Sequence, residues 1–74
     1  MKATIKLNGP DEVKDFVAQA SKCNFDIDIF YNRFIIDAKS LLGVLSMDLT
    51  RALQVNCMGY DSSFERTLKK YSVA

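Results

Sequence analysis

Histidine is absent from these 74 residues, and that one gap removes a large share of enzyme chemistry. Ser-His and Cys-His nucleophile pairs cannot be assembled, and imidazole acid–base catalysis is excluded. Cysteine occurs twice, at Cys23 and Cys57. The two lie too far apart for a CxxC redox or zinc pair and have no histidine to complete a metal set, so each reads as a buried or idle thiol. No apolar run approaches the ~20 residues needed to cross a bilayer. Met1-Lys2 leads straight into an alternating pattern instead of a signal-peptide core, so the chain reads as cytoplasmic with no membrane partner. Neither sign of charge dominates: ten Lys and Arg face nine Asp and Glu, for a net charge of +1. The basic residues are scattered and lay down no stripe for a phosphate backbone, which argues against nucleic acid as a partner. Repeats, linkers and low-complexity segments are also missing, and nothing calls for a cofactor.

What remains is an ordinary globular composition, 49% apolar and 26% charged, in a chain short enough for one domain spanning residues 1–74. Such a domain buries only about 60% of its unfolded surface, so its core must be economical. Ala3, Ile5 and Leu7 alternate with Lys2, Thr4 and Lys6, the period of a half-buried strand. Asn8-Gly9-Pro10 interrupts it. Val13, Phe16, Val17 and Ala20 then recur at helical spacing, with Asp11 and Glu12 in the first turn and Lys22 in the last, predicting a helix from Asp11 to Lys22.

Phe25, Ile27, Ile29 and Tyr31 alternate as a second strand, and Phe34 to Ala38 follow as a third after Asn32-Arg33. A two-residue hairpin sets Tyr31 against Phe34, Ile29 against Ile36 and Ile27 against Ala38. It also places Asp28 opposite Asp37 and Phe30 opposite Ile35 on the outer face. The acidic pair offers a cation two carboxylates, although solvated repulsion is the plainer reading. Arg33 stands where a type I′ turn prefers glycine, which predicts a longer or strained loop. Ser40 to Ser46 forms a short helix capped by Ser40, and Leu53, Val55 and Cys57 alternate as a fourth strand. After a turn at Gly59-Tyr60-Asp61, a capping box of Ser62 with Glu65 opens a last helix whose buried stripe is Phe64, Leu68 and Tyr71. The order βαββαβα is satisfied most simply by an α+β open-faced sandwich, a four-stranded antiparallel sheet with three helices on one face.

That order, with the run from Tyr31 to Met47, resembles the histidine-containing phosphocarrier (HPr) family of the bacterial sugar phosphotransferase system. Similar to Gram-positive members are Tyr31-Asn32 in the turn, Lys39-Ser40 before the short helix, Gly43-Val44 within it and Ser46 after it. Gly59 and Asp61 fit the family's turn before the last helix. The phosphorylated histidine of the family, and the arginine and proline that follow it, correspond to Gly9, Asp11 and Glu12. The nucleophile and its cation are thus both replaced, and an acidic pair there repels an incoming phosphoryl group.

The resemblance implies a non-enzymatic role, close to the family's catabolite-repression paralogues, which lack the histidine and keep the serine. Ser40 stands where the family has its regulatory phosphoserine, modified by an ATP-dependent serine kinase; it also reads as a cap and nothing more. Leu41, Leu42, Gly43 and Leu45 form the implied docking patch. The implied partners are the kinase, a transcription regulator or phosphotransferase components, with a second copy of the chain as a further candidate. The alternative is a structural or interaction domain that kept the fold and lost both phosphorylation roles.

Overall fold

The computed structural model describes residues 1–73 as β1 (Lys2–Ile5), α1 (Pro10–Ser21), β2 (Ile27–Tyr31), β3 (Phe34–Asp37), α2 (Leu41–Leu45), β4 (Leu53–Cys57) and α3 (Ser62–Tyr71). The strands form one antiparallel sheet in the order β1-β4-β2-β3. Alternation decides which face is covered. Ile5, Ile27, Ile29, Leu53 and Val55 all point to one side, where they join Val13, Phe16, Val17 and Ala20 of α1, Val44 of α2, and Phe64, Leu68 and Tyr71 of α3 in a single core. Lys2, Thr4, Asp28, Phe30, Ile35, Gln54 and Asn56 occupy the other, open side. Phe16 anchors the helical layer, its ring 5.6 Å from that of Phe64 and 6.4 Å from that of Tyr71, within the range for favourable aromatic pairs. No helix among the described residues is long and apolar enough to cross a membrane.

The hairpin adopts the expected register, with Tyr31 opposite Phe34, Ile29 opposite Ile36, and Asp28 opposite Asp37. The loop is neither lengthened nor dependent on Arg33. Asn32 takes the positive φ, 54°, and asparagine tolerates that backbone better than most residues. Phe34, expected to face inward with Tyr31, is 58% exposed, because the sheet ends at β3 and the helical layer does not extend over it.

Expectations about several element ends are corrected: β2 begins at Ile27 and not Phe25, and β3 ends at Asp37, one residue short of Ala38. Helix α1 begins at Pro10, and Lys22 is its C-cap, one position beyond the last turn. Strand β1 stops at Ile5, and Leu7 is buried beyond it. The cap of α3 is Asp61, whose carboxylate accepts the Phe64 N–H at 2.8 Å. Ser62 and Glu65 form no capping box; Glu65 instead accepts the Tyr60 hydroxyl at 3.1 Å. An aspartate one residue earlier offers a charged acceptor to the same orphan donors, so it displaces the serine. Gly59 is required just before this cap, since a Cβ there would lie 2.6 Å from the Phe25 ring.

The C-terminal segment closes one edge of the sheet. Lys6 N–H donates to Tyr71 O at 3.0 Å, and Val73 N–H donates to Thr4 O at 2.9 Å. The outer edge of β1 is thereby partly paired. The outer edge of β3 has no such cover among the described residues.

Candidate functional site

Helix α2 is only five residues long and depends on its surroundings for stability. Ser40, in an extended conformation, caps it by accepting the Gly43 N–H on Oγ at 3.1 Å. Ser40 itself is exposed. The turn leading into it is pinned twice by Asp37, whose carboxylate accepts Lys39 N–H at 2.9 Å and whose carbonyl accepts Ser40 N–H at 3.0 Å. Lys39 is the neighbouring cation, but its Nζ donates to Cys23 O at 2.8 Å. It therefore ties α2 to the end of α1. At the other end, Ser46 Oγ donates to Gly43 O at 2.6 Å, which commits it to the closing turn.

Gly43 lets α2 approach the sheet. A Cβ on it would lie 3.0 Å from both Ile36 Cγ2 and Ser40 Oγ, so a side chain there would press on the strand and on the cap together. Val44, next along, is fully buried. The leucines face the other way: Leu42 is 82% exposed, and Leu41 and Leu45 are each 37% exposed. The α2 residues singled out from sequence thus divide into a packing glycine and three solvent-facing leucines beside an exposed serine. Phe34 and Ile35, at 58% and 62% exposure, add further apolar surface on β3.

The start of α1 is built differently from a phosphoacceptor site. Gly9 is its N-cap, with φ 120° and ψ 176°, a conformation essentially restricted to glycine. It supplies no side-chain cap, and Asn8 N–H instead donates to the Glu12 carboxylate at 2.8 Å. Asp11 and Glu12 place two carboxylates in the first turn. Gly9, which the resemblance sets against the family's histidine, is therefore a residue whose backbone disfavours any side chain.

Cys23 and Cys57 are free and buried, and burial pushes both thiols up from their ordinary pKa. Among the described residues no three Cys, Asp or Glu side chains converge as a metal site. Asp28 and Asp37 face each other across the open side of the sheet. Arg33 and Asp37 make no ion pair among the described residues, where the ion pairs are Asp48–Arg51 and Asp15–Lys70.

No family model matches the chain, and no curated protein matches it. Solved structures do. HPr-C-His from Thermoanaerobacter tengcongensis superposes with a TM-score of 0.77 at 20% identity, covering 95% of this chain and 88% of that one. The phosphocarrier protein HPr of Bacillus anthracis gives 0.72 at 18% identity, covering 97% and 96%. The catabolite repression protein Crh of Bacillus subtilis, described as a domain-swapped dimer, gives 0.67 at 14% identity, covering 95% and 88%. Identities this low carry the architecture and leave the chemistry open. With the strand order, the helical layer and the capped α2 all in place, the chain has the HPr fold.

Proposed function

We propose that this protein is a regulatory binding module of the phosphotransferase type that carries no phosphate on histidine. In this reading it docks partners through Leu41, Leu42 and Leu45 and is switched by phosphorylation of Ser40. The observation that carries the reading is the juxtaposition of a solvent-exposed capping serine with a leucine two residues on that is 82% exposed. Exposed contiguous apolar surface commonly marks an interface. A phosphate added beside it changes both charge and hydrogen-bonding capacity at the rim of that surface.

Gly9 supports the exclusion of carrier activity independently of the missing imidazole, because its backbone is unsuited to a nucleophilic side chain. Kinase transfer has no such obstacle: Ser40 Oγ attacks the γ-phosphorus of ATP, ADP departs, and the hydroxyl proton passes to the kinase. One observation favours the alternative of a purely structural or interaction domain. Asp37 lies directly under the Ser40 turn, where its carboxylate repels an added phosphate.

The test uses phosphoenolpyruvate and the general phosphotransferase enzyme, with which no acid-labile phosphoadduct forms. The appearance of one overturns the proposal.

A further inference from the structure

Strand β3 pairs with β2 alone, and which of its backbone groups remain free follows from the ladder. Ala38 N–H donates to Ile27 O at 2.9 Å. Antiparallel residues alternate between bonding the partner strand and pointing away from it, so Phe34 and Ile36 bond β2 while Ile35 and Asp37 present their N–H groups outward. Ile35 also presents its carbonyl. Among the described residues, the one backbone bond from β3 to anything but its sheet partner is the local turn from Ser40 N–H to Asp37 O. Unpaired edges of this kind are templates for another strand.

The sequence along this edge is complementary to its own reverse. Arg33-Phe34-Ile35-Ile36-Asp37, laid antiparallel on a second copy about a two-fold axis through Ile35, sets Ile35 against Ile35, Phe34 against Ile36, and Arg33 against Asp37, the last two pairs occurring twice. In this register the two Ile35 residues exchange both of their free backbone groups, and Arg33, in the turn just before the strand, lies beside Asp37 of the other chain. The side chains agree on both faces. On the open face, Gln54, Phe30 and Ile35 form a row across the sheet that continues through the second Ile35 to the second Phe30. The adjacent row runs Lys2, Asn56, Asp28, Asp37 and ends on two carboxylates that make no ion pair among the described residues, and a second copy supplies the Arg33 guanidinium. On the helical face, exposed Phe34 meets half-buried Ile36.

We infer that β3 is a homodimer interface, joining two four-stranded sheets into one eight-stranded sheet through the self-complementary segment 33–37. The occupant is a second copy of this chain because the charges match in this register. A partner strand without a basic residue four positions before an acidic one would leave Arg33 and Asp37 unpaired, and this chain carries that spacing itself. The contact is isologous: Ile35 meets its own copy, and every other pair occurs twice across the axis. It is small, so the dimer forms in proportion to protein concentration. It shares Asp37 with the turn that carries Ser40 but uses none of the α2 leucines, and it does not rest on the function proposed above.

The test is sedimentation velocity of the full chain over a wide concentration range at low salt. The wild type is expected to pass from monomer to dimer as concentration rises, more weakly at high salt. Arg33→Asp makes both cross-axis pairs acidic, and Asp37→Arg makes both basic, so each alone weakens self-association by at least about tenfold. An equimolar mixture of the two variants restores the dimer. In the mixed pair the two substituted side chains face each other with opposite charge, and the two native ones, Asp37 of the first variant and Arg33 of the second, do the same. Recovery in the mixture also shows that both variants are folded. A wild type that stays monomeric, reversals that dimerise as the wild type does, or a mixture that fails to recover would each overturn the inference.

Discussion

The hydroxyl of Tyr71 donates to the Asp15 carboxylate, fastening the last turn of α3 to the middle of α1 across 56 residues of chain. Tyr71 is buried to 7% exposure, and Lys70 reaches the same carboxylate at 3.3 Å. The Tyr71 bond, aided by Gln19 and Lys70, holds Asp15 below its ordinary pKa against the opposing effect of burial. Tyr71 itself is pushed up, first by burial and then by this bond.

Tyr71→Phe removes the bond while keeping the ring packed. The expected loss of unfolding free energy at neutral pH is about 1 kcal/mol, below the usual value for a bond to a charged group because Asp15 is part-exposed and keeps Lys70. The pH dependence has a definite sign. A lowered carboxylate pKa contributes stability that is present above the ordinary value of 3.8 and lost as pH falls through the lower folded value. The gap between wild type and variant should therefore narrow on acidification below pH 3.8, as measured by urea unfolding.

At Gly9 a Cβ would meet no atom within 4 Å, so any cost of substitution is conformational. Gly9→Ala should lower stability by about 1–3 kcal/mol, the usual range for a residue held in a sparsely populated region. Gly9→His should lose a comparable amount and still accept no phosphate from the general phosphotransferase enzyme, since Asp11 and Glu12 stay beside the imidazole. Thermal unfolding and phosphate transfer, measured on the same samples, check both statements.

Leu42→Ala should cost well under the ~2–5 kcal/mol typical of a buried leucine, because the side chain is 82% exposed. Its effect should show up instead as weakened binding to an HPr-regulated transcription regulator. A stability loss in the buried range would place Leu42 in the core and remove the docking face.

Much of this fold is legible in the sequence because its signals are local. A two-residue loop fixes the register of β2 and β3 as soon as Ile29 and Ile36 are both assigned inward, since a slip of one residue would expose them. The stripe of Phe64, Leu68 and Tyr71 likewise specifies the buried face of α3. Long-range features escape. Nothing near Tyr71 announces that its hydroxyl meets Asp15, or that the segment after it pairs with Thr4. The cap of α3 is ambiguous in sequence because Asp61 and Ser62 are adjacent competent caps, and geometry alone decides between them. Ser40 and the α2 leucines stand out by their spacing and by their resemblance to a known run. Gly43 reads from sequence as part of the docking patch, but its close approach to Ile36 depends on tertiary packing.

The most direct measurement is the intact mass of the protein after incubation with a Gram-positive HPr kinase and ATP, with an ordinary HPr treated in parallel. The proposed function predicts the addition of one phosphate to the wild type and none to Ser40→Ala, with Ser46→Ala still modified, because Ser46 is tied to the closing turn of α2. If the kinase modifies the ordinary HPr and leaves this folded protein unmodified, Ser40 is a helix cap alone and the regulatory reading is contradicted.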